Sequence, residues 1–199
     1  MSSGILAIVP AHAFSWADLS AGDASQGLKL ALEKGASAAI GLLGVQDGFM
    51  GHDKVRIGLP DALNKGAKML KRLGMGQQLD ALTLQMNRAA EQAVPLAQKA
   101  LMQSIQTMSV QDAKGILKGG DTAATQYFVD KTRAPLSAEF LPQVKQVLGQ
   151  LGVVEQFNAV AGKLSSMGLV PRDKALLENH VTGKALDGLY YMIGEEEKK

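Results

Sequence analysis

The residues equipped for chemistry sit in the middle of the chain. In MNRAAEQAVPLAQKA (86–100) and ILKGGDTAATQYF (116–128), the polar side chains of Asn87, Arg88, Glu91, Asp121 and Thr125 stand among alanines and glycines. Small neighbours let helices approach closely, so these five have a stronger claim on a helix–helix contact than ordinary surface residues. Glu91 and Asp121 would supply an acid and a base if they faced one cleft, with Asn87, Arg88 and Thr125 positioning a substrate. Each also has a structural reading. Arg88 and Glu91 are spaced for an i,i+3 pair, Asn87 for a buried hydrogen bond, and Gly119-Gly120-Asp121 for a turn followed by a helix N-cap. Backbone amides at that turn would suit an anion, but the Asp121 carboxylate would occupy the cap and repel it.

A second set lies near the end of the chain. At 100° per residue His180, Lys184, Asp187 and Tyr191 fall on one stripe, and Val181, Ala185, Leu189, Met192 and Ile193 on the other side. A solvated helix face accounts for the first stripe, and its mixture of aromatic, cationic and acidic groups is where a partner would dock. The same stepping places Leu79, Leu82, Met86, Ala90, Ala93, Ala97 and Ala100 on one stripe, with Asn87 and Glu91 on its border. Arg88 is nearly opposite and faces water unless a second layer covers it.

Other chemistries lack their residues. The three histidines, His12, His52 and His180, do not form a zinc pattern, and no HExxH, GxSxG, SxxK or P-loop is present. With no cysteine, disulfides, thiol catalysis, thiolate metal sites and lipid acylation at cysteine are excluded for the chain as it stands. No cofactor is expected. The 21 basic and 19 acidic residues leave a net charge of +2 and no basic run for a phosphate backbone, which argues against nucleic acid.

These residues need helices to position them. The chain of 199 residues is 46% hydrophobic but only 5% aromatic, and poor in β-branched residues, so an all-α single domain is expected. Ser20 and Asp23 approximate a capping box for a first helix that ends at Gly44. A glycine-containing loop follows, with a short extended piece at Val55 to Ile57. The second helix runs from Pro60-Asp61 to Leu73, and a long third from about Gln77 to Met108, kinked at Pro95. Ser109 to Asp112 caps a short helix ending at Gly119-Gly120, and Asp121 caps the next. Helices near 135–151 and 153–166 and a last one from Asp173 bring the bundle to about eight. Residues 63–82 and 141–160 align at an offset of 78, pairing Leu70 with Leu148 and Gly74 with Gly152, which suggests two similar helical hairpins. Any two amphipathic helix–Gly–helix units would give much the same match.

The first thirteen residues, MSSGILAIVPAHA, combine an apolar run from Ile5 to Val9 with Ala11-His12-Ala13, the spacing a signal peptidase reads. This resembles the end of a secretory signal, so the expected mature domain is 14–199 and its expected location periplasmic; a frayed apolar N-terminus is the alternative. Met1 to Gly4 carry no Lys or Arg, so the basic n-region is expected upstream or has been trimmed away. No later run approaches the ~20 apolar residues of a membrane span.

The segments DASQGLKLALEKGA, VRIGLPDAL, MNRAAEQAVPLA, AKGILKGGDTAATQYF, FLPQV and VTGKALDGLYYMIGEEEKK together resemble the bacterial domain-of-unknown-function family 4197. The resemblance covers almost the whole mature chain. It implies a helical protein, typically from Gram-negative bacteria and made with an export signal, and it implies no established activity. Gly58 departs from it, standing where the family pattern V-R-I-P-L-P has proline, and a further basic segment is expected after Lys199. Two functional readings follow. One is a non-enzymatic binding protein for an apolar ligand or an envelope partner; the other is an enzyme of unrecognised type using Glu91 and Asp121. Export is checked by N-terminal sequencing of protein from the host envelope, which should begin at or near Phe14; a retained Met1 in the cytoplasm overturns it.

Overall fold

The computed structural model describes residues 21–166, 168 and 175–198. The signal expected at Ala11-His12-Ala13, the cap expected at Ser20 and the helix start expected at Asp173 lie outside them. The helices are α1 (Ala21–Leu43), α2 (Asp61–Arg72), α3 (Gly76–Ala93), α4 (Ala97–Gln106), α5 (Val110–Lys118), α6 (Ala123–Gln150), α7 (Val153–Ser166) and α8 (Ala175–Glu197). Among the described residues there is no strand, and the protein is all-α. α3 and α4 are joined by a 3-10 turn at Val94–Leu96 into one interrupted rod, so the described helices amount to seven rods.

Two helices are partitioned differently from the expectation. The rod expected as one kinked helix loses its α geometry at Pro95, which has no N–H to return to Glu91. Conversely, the break expected near 135 is absent. α6 is continuous through Pro135 and Pro142, because Phe128, Thr132, Leu136, Phe140, Val144 and Leu148 form an unbroken buried i,i+4 stripe. Packing along that stripe outweighs the backbone bonds that the two prolines omit. Val55 to Ile57 belongs to no strand ladder.

The turns obey local rules. Ser109 and Asp112 form the expected capping box, with Asp112 N–H on Ser109 Oγ at 3.0 Å and Ser109 N–H on the carboxylate at 3.1 Å. The Ser109 hydroxyl, donating to the same carboxylate at 2.7 Å, and then the Ser109 N–H hold the Asp112 carboxyl below its ordinary range. Gly74 (φ 81°) and Gly152 (φ 67°) are left-handed and end α2 and α6. At Gly74 the motif is complete: Gly74 N–H bonds Lys71 O, and Met75 N–H bonds Leu70 O.

Helix α8 occupies the centre, packed against α1, α3 and α6. Leu177, Val181, Ala185, Leu186, Leu189, Tyr190, Met192 and Ile193 are all buried, in a core to which every helix contributes. Tyr190 meets Thr132 of α6 at 2.8 Å, and burial raises its phenol above the ordinary value. Lys184, Asp187 and Tyr191 form an exposed stripe on α8, with His180 half-buried at its head.

The C-terminal end of α8 performs a task expected of Asp121. The amides of Ala124 and Thr125, in the first turn of α6, donate to Glu197 Oε1 and Oε2 at 2.8 and 3.0 Å. Thr125 Oγ1 adds a third bond at 2.6 Å. Asp121 is exposed, the N-cap position is Thr122, and no side chain caps it locally. The Asp121 cap is therefore corrected: a carboxylate from 72 residues away reaches the orphan amides first. Glu197→Ala should cost about 1 kcal/mol in urea denaturation, while Asp121→Ala should stay within about 0.5 kcal/mol of the parent. The reverse order would restore the local cap.

Candidate functional site

The loop between α1 and α2 is where the sequence-derived residues converge. It leaves α1 tightly, since a Cβ on Gly48 would lie 2.5 Å from Leu43 O. Asp47 follows the same turn at φ 65°, a left-handed conformation that Asp tolerates better than most residues. Where this loop dips into the helical core, at Phe49 and Ile57, its backbone groups have no ladder to pair them, and each unpaired one is costly. Two α3 side chains four residues apart, and so on one helix face, supply the partners.

Asn87 is fully buried and pairs with Ile57 at both ends of its amide. Ile57 N–H donates to Oδ1 at 2.8 Å, and Nδ2 donates to Ile57 O at 2.9 Å and to Thr83 O at 2.8 Å. Glu91, 4% exposed, accepts Phe49 N–H and Met50 N–H on Oε1 at 3.1 and 3.2 Å. Its Oε2 accepts from Arg88 Nη1 at 2.7 Å, while Arg88 Nη2 reaches Asp47 at 2.8 Å. The bond to Glu91, opposed by burial and reinforced by Asp47, holds the guanidinium above its ordinary pKa. Arg88 does not simply face water, because this loop is the layer that covers it.

The other side of the loop rests on α8. A Cβ on Gly188 would meet Phe49 Cε1 at 2.7 Å and Val55 Cβ at 3.2 Å, so the absence of a side chain there seats the loop. His180 Nε2 lies 2.8 Å from Gly58 O; a carbonyl only accepts, so this nitrogen carries a proton. Between loop and helix runs a groove of about 420 Å³. His180, Lys184, Asp187 and Tyr191 line one wall, and Lys54, Arg56, Gly58 and Leu59 contribute the other.

The charges of the groove are partly matched. Asp187 pairs with Arg133 of α6 at 2.6 Å and with Lys184 at 3.7 Å, and Arg56 pairs with Asp53 at 2.8 Å. Lys54 has no ion-pair partner among the described residues. Tyr191 stands edge-on to His52 with ring centroids 6.4 Å apart.

Seven of the nine residues singled out from sequence thus flank one loop, with Asn87, Arg88 and Glu91 behind it and the α8 stripe in front. Asp121 and Thr125 are not with them. Thr125 belongs to the Glu197 contact, Asp121 has no contact with the loop residues, and Glu91 has both oxygens engaged, so no Glu91–Asp121 acid–base pair is assembled. Sequence reasoning missed Lys54, Arg56, Gly188 and Glu197. Gly188 carried a signal, since a mid-helix glycine costs about 0.5–1 kcal/mol relative to alanine and often marks a close approach.

A family model described as a protein of unknown function, DUF4197, matches residues 18–199. The chain belongs to this family. No curated protein and no solved structure matches it. Three of the segments that carry the DUF4197 likeness meet at the loop: MNRAAEQAVPLA clamps it from behind, VRIGLPDAL forms one wall of the groove, and VTGKALDGLYYMIGEEEKK contributes the other. Among the described residues no cluster of three or more His, Asp or Glu is placed to hold a metal, and no helix is long and apolar enough to cross a membrane.

Removal of the Asn87 amide leaves both polar groups of Ile57 buried and unpaired. Asn87→Ala should cost about 1–3 kcal/mol in urea denaturation and abolish hydrogen-exchange protection at Ile57. Asn87→Asp should be no milder, since it loses the donor and sets a carboxylate against two carbonyls. Parent-like protection at Ile57 in both variants would show that the loop is held by something else.

Proposed function

We propose that this DUF4197 chain is an exported, non-enzymatic binding protein that takes a segment of an envelope partner in the groove between α8 and the 54–61 loop. The observation that carries this reading is that the polar stripe of α8 faces a loop fixed from behind by buried hydrogen bonds. A surface held in that way is preorganised, so a partner need not order it on binding. Export rests on the Ile5–Val9 run and Ala11-His12-Ala13. The two helix–Gly–helix units would act as paired scaffolds, one carrying the clamp on α3 and the other joining α6 to α7.

An apolar cavity of about 370 Å³ favours a second reading, a small apolar ligand. Leu28 and Leu32 of α1, Ile116 of α5, Phe128 of α6 and Ile193 of α8 form its walls. This site lies on different elements from the loop wall of the groove.

Native mass spectrometry of protein isolated from its own host separates the readings. A Cβ on Gly58 would meet nothing within 4 Å, so Gly58→Trp fills the groove without crowding the fold. A bound mass in the parent that disappears in Gly58→Trp is the expected outcome. A mass retained in the variant would move the ligand to the apolar cavity, and a bare chain in both would sink the binding reading.

A further inference from the structure

Gly58 presents a backbone donor that the fold itself does not use. Its amide has no hydrogen-bond partner among the described residues. Its direction follows from its neighbour. Ile57 O points at Asn87 Nδ2, the peptide bond is trans, and the Gly58 N–H must therefore point away from Asn87 and α3. On that other side lies the groove, which Gly58 lines and across which its own carbonyl meets His180.

The surroundings decide what such a donor would bind. Lys54 and Lys184 line the same groove, and Lys54 is unpaired among the described residues. Of the two acids of the groove, Asp187 is paired with Arg133 and Lys184, and Asp61 sits in the first turn of α2, whose N-terminus offsets part of its charge. An open N–H beside an uncompensated cation suits a carboxylate, which only accepts. Val55, Leu59 and Tyr191 add apolar surface for a side chain next to it.

Building on the groove reading above, we infer that the groove captures the C-terminal carboxylate of a partner peptide, with Gly58 N–H as hydrogen-bond donor and Lys54 and Lys184 as its cations. A peptide terminus brings the carboxylate together with an adjacent side chain for the apolar wall, the combination the groove offers.

The test is an NMR titration of the full chain with N-acetyl-Ala-Ala-Leu as the free acid, its C-terminal amide, and hexanoate. The free acid should shift the Gly58 amide resonance and bind about fivefold tighter than the amide, an advantage that high salt narrows. Gly58→Ala keeps the N–H and should keep the preference; Gly58→Pro lacks it and should narrow the preference to the share the two lysines supply, and an unchanged preference in Gly58→Pro would overturn the role of the N–H. Lys54→Gln with Lys184→Gln should weaken the acid and leave the amide unchanged. Equal binding of acid and amide would overturn carboxylate capture and leave the groove reading standing. Hexanoate as tight as the peptide acid would overturn the peptide source. No perturbation of groove residues by any probe would overturn the inference together with the groove as a peptide site.

Discussion

A buried carboxylate and a buried carboxamide on one face of α3 hold this structure's only long described loop in place. Glu91 is a charge removed from water, a costly state unless its oxygens are fully matched. They are: two backbone amides take Oε1 and Arg88 takes Oε2. Arg88 then carries the contact out to Asp47, so one network runs from the core to the rim of the loop. Asn87 does for Ile57 what a neighbouring strand would do, donating and accepting from one planar group. Because positions 87 and 91 are a helical turn apart, one rigid helix grips the loop at two points at once.

Helix α8 answers from the opposite side, and its glycines set how close it comes. Gly188 admits Phe49 and Val55 of the loop, and a Cβ on Gly194 would lie 3.2 Å from Thr125 Oγ1 at the start of α6. One helix thus seats the loop at one point and meets the α6 N-terminus at another, where Glu197 completes the contact. Its apolar side is buried in the core, which leaves the His180–Tyr191 stripe as the face turned to solvent and to the groove.

The sequence made the faces legible and left their partners hidden. The 3.6-residue period separated the polar face of α8 from its core face, as the burial found there bears out, but it placed Asn87 and Glu91 only at the border of the α3 stripe, whereas the loop that packs over them leaves both buried. The contacts themselves link residues 30 to 42 positions apart for the clamp and 72 for the α6 cap. Local pattern does not encode such pairs. Asp121 illustrates the failure: its residue type and position suited an N-cap, but tertiary packing delivered Glu197 to the same amides. Pro135 and Pro142 illustrate another, because a continuous apolar stripe tolerated two missing backbone bonds in α6.

Gly58 ties the clamp to the groove. The bond that fixes Ile57 O to Asn87 also sets the plane of the next peptide, so the clamp aims a groove-lining backbone donor that has no partner among the described residues. A proline at this position, as in the V-R-I-P-L-P pattern the chain resembles, would keep the wall and the His180 contact to the carbonyl but remove the donor. Glycine instead keeps the N–H, and a Cβ built at this position would meet nothing within 4 Å. The two residues thus make different grooves from the same scaffold: on the proposed reading, proline would leave recognition to the α8 stripe and the loop's side chains alone, and glycine would add the backbone. Since Asn87 is buried and Lys54 exposed, substitutions at the rim can change the charge of the groove while the clamp that shapes it stays intact.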